Sequence, residues 1–306
     1  MNVDPKRPLP RVLALLATFN GAAWLDEQLE GIAGQRGVNV AILVSDDGST
    51  DDSVARIRAW SGAHASIALL APTDRHLGAA ASFLRLLREA PLDGVDYVAL
   101  ADQDDIWPPG RLERAIEQLN THSAAGYSSD AVAFWPDGRQ RLLGKANAQR
   151  EYDYLFEPAG PGCTYVLAHS LAQAVQDELR HDAHRFEGLG YHDWLIYAYA
   201  RTHGHRWAID KTPGVFYRQH GHNELGANFG LRGVLRRWRR LTSGWFRAQV
   251  LQIGNLWPGP HDEAVTRLQQ WRWSDRAWLA SNAHRLRRRP RDQVALAVMA
   301  LLGVLR

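Results

Sequence analysis

Cysteine is almost absent: Cys163 is the single one in 306 residues. One thiol forms no intramolecular disulfide and no thiolate cluster for zinc, so a reducing compartment is expected and redox chemistry is not. Long apolar runs are also missing. The start, "MNVDPKRPLPRVLALLATFN", is basic and proline-broken, with an apolar stretch too short to span a bilayer and no small-residue cleavage site. It predicts a mature cytosolic N-terminus. The closing run, "VALAVMALLGVL", has 12 residues, against the ~20 a spanning helix needs. No G-x-G-x-x-G follows the first apolar segment and no G-x-x-x-x-G-K-[ST] occurs, which argues against dinucleotide and phosphate-loop folds. RNA-binding aromatic motifs and zinc-finger spacings are lacking too.

What is present is a chain that is 45% hydrophobic, long enough for one large domain or two modest ones. Its net charge of +3 conceals an asymmetry. From residue 231 onward fifteen arginines face four acidic residues, so this tail carries +11 and residues 1–230 carry −8. Six of the twelve tryptophans lie in the tail. Such a tail suggests a polyanionic partner, a membrane surface or a nucleic acid. Leu231, Leu235, Trp238, Leu241 and Trp245 recur at three- and four-residue spacings among arginines. That pattern fits a helix lying in a membrane interface, and equally a helix packed on the core with a solvated basic face.

Residues 11–120 alternate apolar runs with helical patterns. "RVLALLATFN", "VAILVSDDGS", "SIALLAP" and "VDYVALADQDD" read as strands buried on both faces, and "DEQLEGIAGQ", "DDSVARIRAWSGA" and "AASFLRLLREA" as the helices between them. Parallel βαβ units follow, with ligands expected beyond the carboxyl ends of the strands. Thr18/Asn20, Asp46/Asp47 and Asp102/Asp104/Asp105 each end an apolar run and are expected to converge on one crevice. An isolated acidic cluster could be a solvated turn; three clusters at strand ends describe a binding site. With no phosphate loop, a divalent cation held by carboxylates is the natural counter-charge for a diphosphate.

The ordered segments "LATFNGAAWLDEQLEGI", "ILVSDDGSTDDS", "HLGAAASFLRLL", "ALADQDDIWPPGRLERAIEQL", "GPGCTYVLAHSL", "GLGYHDWLIYAYA" and "VFYRQHGHNELGA" resemble the family 2 inverting glycosyltransferases of the GT-A fold, within them the bacterial rhamnosyltransferase-like group. The resemblance covers about residues 11–230. It implies an α/β GT-A fold with a mostly parallel sheet, followed by a helical C-terminal extension. It also implies a nucleotide-sugar site at Thr18, Asn20, Asp46, Asp47, Gly78, Asp102, Gln103 and Asp104. Asp46 would contact the pyrimidine base and Asp102 the ribose or diphosphate. Asp104 would bind Mg²⁺ or Mn²⁺, with His220 as a further candidate ligand, and Asp105 would turn toward the following loop. Asp193 matches the catalytic base, although it also reads as a helix N-cap. Gly162, Cys163, Thr164, His192, Trp194, His220 and Asn223 match the acceptor and closing loops. Cys163 itself reads as a small buried residue.

Two positions depart from the family pattern: His76 stands where an asparagine is common, and His192 where an acidic residue often precedes the base. The regions expected are a nucleotide-sugar half (1–120), an acceptor half (121–230) and a basic, Trp-rich helical region (231–306). The implied activity is inverting transfer of a sugar, L-rhamnose from a dTDP donor being one case. The implied acceptor is a saccharide or lipid-linked saccharide of a cell-surface polysaccharide. The expected location is cytoplasmic, peripheral on the inner membrane through the tail, with no nucleic acid bound. A nucleic-acid-binding protein using the tail, and a nucleotidyltransferase on a related fold, are the alternatives.

Overall fold

The structure, a computed structural model, describes residues 8–220 and 243–305. The first half alternates as expected: β1 (Arg11–Thr18), α1 (Leu25–Ala33), β2 (Asn39–Asp46), α2 (Ser53–Ala63), β3 (Ile67–Leu69), α3 (Ala79–Glu89), β4 (Tyr97–Asp102) and α4 (Arg111–Thr121). There follow β5 (Gly126–Phe134), β6 (Gln140–Leu143), a 3₁₀ turn at Gly162–Thr164, β7 (Val166–Ala168), α5 (His169–His181), α6 (His192–Thr202) and β8 (Trp207–Arg218). Five helices are described in the tail: α7 (Trp245–Leu256), α8 (Asp262–Gln270), α9 (Trp273–Ser281), α10 (Ala283–Leu286) and α11 (Pro290–Leu301).

The strands form one sheet in the order β3-β2-β1-β4-β7-β5-β6, with β8 beside β5. β3, β2, β1 and β4 run parallel, β7 is antiparallel to β4 and β5, and β8 is parallel to β5. The runs are apolar throughout because helices cover both faces. Along β1, Val12, Ala14 and Leu16 enter a core with Leu29 of α1, Ile57 of α2 and Leu112 of α4. Leu13 and Leu15 enter the other, with Phe83 of α3, Leu171 of α5 and Leu195 of α6. Period-2 side chains between two helical layers therefore make a strand with no polar face.

The tail helices belong to that second core, into which Val250, Ile253, Leu268, Leu279, Leu286 and Leu296 all pack. Part of the tail's positive charge is spent on the acidic body. Arg285 Nε pairs with Glu151 at 2.7 Å, and Arg287 lies 3.7 Å from Glu157. Arg288, 3% exposed, donates its peptide N–H to Glu157 Oε1 at 2.7 Å and a guanidinium N–H to the Ala159 carbonyl at 3.1 Å. Buried carboxylates are tolerated where such partners satisfy them. Trp245, read from sequence as part of an interface stripe, instead packs edge-on against Tyr191 with ring centroids 5.5 Å apart. Leu231, Leu235, Trp238 and Leu241 lie outside the described residues. Among the described residues no helix is long and apolar enough to cross a membrane.

Candidate active site

Register brings the polar strand ends together. Thr18 pairs with Asp46, and Ala17 with Asp102, so β1, β2 and β4 end level. β1 lies where the strand order reverses, the position at which open α/β sheets bind ligands.

At one side of this crevice is a cavity of about 380 Å³ lined by Phe19, Asn20, Asp47, Thr50, Arg75 and His76 among others. Phe19 is 42% exposed, an apolar face turned to solvent beside polar groups, as a stacking platform for a base would be. Asp47 ties down the loop before α3: its carboxylate accepts the Leu77 N–H at 2.6 Å and the Gly78 N–H at 2.7 Å. It also lies 3.0 Å from His76 Nδ1. Gly78 has φ +81°, which favours glycine at this bond. Asp46 holds the turn that follows β2. Its carboxylate accepts the Gly48 and Ser49 N–H groups at 3.1 and 2.9 Å and the Ser49 hydroxyl at 2.5 Å, closing the next turn. Asp47 and Asp74 line the cavity.

Thr18 and Gln103, expected at the nucleotide, fasten β1 to β4 at the strand ends. Thr18 donates its hydroxyl to Gln103 Oε1 at 2.7 Å; the same oxygen accepts the Phe19 N–H at 2.8 Å. Gly21 lies against them: a Cβ there would sit 2.2 Å from Gln103 Oε1, so the Gln103 amide would have to move. Asn20 takes φ +49° and accepts the Thr50 N–H at 2.8 Å, so it shapes the cavity rim.

The acidic loop meets the end of β8. Ile106 and Phe216 exchange backbone hydrogen bonds at 3.0 Å each, and Arg218 Nε donates to the Asp104 carbonyl at 3.0 Å. His220 Nε2 thereby reaches Asp104 Oδ2 at 2.5 Å, its ring stacked on Trp24 at 4.2 Å between centroids. A carboxylate and an imidazole converging at the strand ends fit a hard or borderline divalent cation. Asp105 is fully buried beneath them. Its carboxyl and that of Asp102 lie with the Cys163 sulfur within 4.8 Å of one another. Burial, then the charges of Asp102 and Asp104, push the Asp105 carboxyl well above the usual range; burial pushes the Cys163 thiol up as well. Asp102, Asp105 and Cys163 are thus a second group of donors at the strand ends that could hold a cation. Asn223 lies outside the described residues.

Asp193 occupies the first turn of α6, 9% exposed. Burial raises its pKa to about 7, against the opposing pull of the Trp194 N–H, 2.8 Å from Oδ1, and of the Lys145 charge. His192 stacks on Phe83 at 4.0 Å, and burial lowers its pKa to about 3, leaving it neutral. Gly162 abuts both: a Cβ there would lie 2.6 Å from His192 Nε2 and 3.1 Å from the Asp193 Cβ. Two expected acceptor-loop residues are structural. Trp194 is buried and donates its indole N–H to the Tyr154 carbonyl at 2.8 Å; Thr164 is buried and accepts the Ser129 N–H at 3.1 Å.

Phe19, Trp24 and Arg218 did not stand out in the sequence. Phe19 carried a signal, an aromatic among polar residues at a strand end; Trp24 and Arg218 matter only through partners distant in the chain.

Comparison with known proteins agrees with this geometry. Residues 14–164 match the model of glycosyl transferase family 2. The dTDP-rhamnosyl transferase RfbG of Shigella flexneri is 33% identical over 290 residues, covering 94% of this chain and 100% of that protein. The chain belongs to glycosyl transferase family 2. This glycosyltransferase also resembles S. aureus TarS residues 1–349 in complex with UDP-GlcNAc, at TM-score 0.59, 11% identity, 97% of this chain and 82% of that one. A mannosyltransferase from Pyrobaculum calidifontis in complex with GDP-Man and Mn²⁺ gives TM-score 0.55 at 17% identity, over 97% of this chain and 78% of that one. These likenesses show the GT-A fold.

Because the folded pKa of Asp193 is raised, the native state holds an extra proton between about pH 4 and about 7. The stability associated with that proton is lost as pH rises through this window. At about 1.4 kcal/mol per unit, the ionised side chain costs at most roughly 4 kcal/mol above pH 7. Asp193→Asn is therefore expected to raise Tm at pH 8 and to lose that gain toward pH 4. A Tm difference that does not change with pH in calorimetry would contradict the assigned burial.

Proposed function

We propose that this glycosyltransferase transfers a sugar, L-rhamnose from a dTDP donor, onto a saccharide or lipid-linked saccharide of a cell-surface polysaccharide, inverting the anomeric centre. The observation that carries the reading is Asp193: a buried carboxylate poised near neutrality, joined by the Gly162–Thr164 turn to the carboxylates of the acidic loop. The relative's name, dTDP-rhamnosyl transferase, supports the choice of donor.

The roles follow from bond making and breaking. The acceptor hydroxyl oxygen attacks the anomeric carbon and gives its proton to Asp193; the bond to the diphosphate breaks and its electron pair leaves with the diphosphate. One carboxylate base without an enzyme nucleophile gives a single displacement, hence inversion. Phe19 and Asp47 flank the nucleoside, with Asn20 and Gly78 shaping its cavity, and Asp102 faces the ribose or diphosphate. Asp104 and His220 would hold Mg²⁺ or Mn²⁺, which offsets the charge developing on the leaving group. Neutral His192 and Gly162 set the base in position.

Membrane attachment, in this reading, lies on the cytoplasmic face and uses α9 and α11. Val294, Val298, Leu301 and Leu302 are exposed at helical spacing, and Trp273 is 65% exposed. Arg276 stacks over Trp273 at 5.2 Å and also bonds the Ala300 carbonyl at 2.8 Å, so it links these two helices. Apolar side chains with a tryptophan and arginines suit a lipid interface.

With dTDP-rhamnose and a saccharide acceptor, kcat/KM is expected to fall roughly tenfold per pH unit below about 7, and Asp193→Asn to lower kcat by about 10²–10⁴. Proton NMR of the product is expected to show inverted anomeric configuration; retention, or turnover surviving in Asp193→Asn, refutes the assigned base. Binding to phosphatidylglycerol vesicles is expected to be lost in the double variant Val298→Ser, Leu302→Ser. Equal sedimentation of that variant with vesicles would remove α11 from the membrane face.

A further inference from the structure

Residues 156–161 lead into the Gly162–Thr164 turn without belonging to any helix or strand, yet Phe156 and Ala159 are buried. Buried backbone carbonyls need donors. Two consecutive arginines of the tail, between α10 and α11, supply them. Arg287 Nη1 donates to the Phe156 carbonyl at 2.8 Å, and Arg288 donates to the Ala159 carbonyl at 3.1 Å and to that of Pro158. Glu157 Oε1 accepts the Arg288 peptide N–H at 2.7 Å. Two bonds carry this hold forward into the turn: the Ala159 N–H donates to the Tyr165 hydroxyl at 2.9 Å, and the Thr164 hydroxyl donates to the Pro161 carbonyl at 2.7 Å.

The Arg288 guanidinium also faces the helix of the base. Asp193, Tyr197 and Arg201 recur every four residues, so they follow one another along one side of α6. The Tyr197 hydroxyl donates to Asp153 Oδ2 at 3.0 Å and Arg201 Nη1 to Asp153 Oδ1 at 2.8 Å. Arg288 Nε lies 3.7 Å from Oδ2 of that same buried carboxylate. Arg288 therefore joins the segment that ends at Gly162, against Asp193, to the side of α6 from which Asp193 projects. A guanidinium suits this place because its planar fork of donors reaches several acceptors at once, which an ammonium on a flexible stem does not.

We propose that Arg288 is a positioning residue for sugar transfer: it holds the Gly162–Thr164 turn and the helix of the base in one fixed relation, so the tail completes the transfer site. The inference rests on Asp193 being the base, and deepens that reading by naming what fixes the base in place.

The test compares full-length Arg288→Ala and Arg288→Lys with Arg247→Gln, a control whose guanidinium bonds the Leu268 carbonyl at 2.8 Å within the tail. One readout is kcat and KM with dTDP-rhamnose and a saccharide acceptor. The other is the rate at which Cys163, the chain's single thiol, buried in the turn, reacts with an aromatic disulfide reagent in the native protein. Loss of a charge-assisted hydrogen bond shifts a local opening roughly tenfold, so Cys163 is expected to react about tenfold faster in Arg288→Ala. A base set out of place is expected to lower kcat by about 10–10²-fold with donor KM unchanged. Arg247→Gln is expected to match wild type in both readouts. Wild-type kcat or wild-type labelling in the Arg288 variants, a loss confined to KM, or equal losses in Arg247→Gln overturns the proposal. Should Arg288→Ala fail to fold, Arg288→Lys decides by the same two readouts. Failure of the base assignment would show separately, as transfer by Asp193→Asn, and Cys163 labelling would still report whether Arg288 holds the turn.

Discussion

The site depends on the packing of one 3₁₀ turn, Gly162–Thr164, between two sets of carboxylates. Its first residue has no room for a side chain against His192 and Asp193, and its second places a thiol against Asp105. Thr164 anchors the turn to β5 through the Ser129 N–H. The burial that fixes this turn is the same burial that raises the proton affinity of Asp193, Asp105 and Cys163. Geometry and proton affinity therefore have a common cause: apolar packing that withholds water from acids at the edge of the sheet.

Much of the fold was legible in the sequence because it is local. β1, β2 and β4 end where their apolar runs meet polar residues, and their parallel register makes Thr18, Asp46 and Asp102 neighbours. What the chain hid are pairings between distant residues. Thr18 and Gln103 are 85 positions apart, and His220 and Asp104, 116 apart, were brought together only by the family resemblance. No spacing rule exposes such pairs. Adjacent residues of one type were also hard to separate, since Asp46 and Asp47 point to opposite tasks through a one-residue change in direction.

The charge of the tail has two readings. Fifteen arginines read as a surface for an outside polyanion, yet Arg285, Arg287 and Arg288 meet Glu151, Asp153 and Glu157 of the body. The −8 of residues 1–230 and the +11 of the tail are in part each other's counter-charge. A charge asymmetry between halves of a chain marks an intramolecular interface as readily as an external partner.

The claim that the turn positions the base is tested most directly by Gly162→Ala, whose added Cβ would have to displace His192 and Asp193. Donor affinity is measured by titration with the sugar nucleotide, and kcat with donor and acceptor saturating. Displacement of a base by about 1 Å can cost about 10²-fold in rate, and since the contact with Asp193 calls for a smaller shift, a lower kcat with donor affinity unchanged is the predicted result. A variant with wild-type kcat would contradict it.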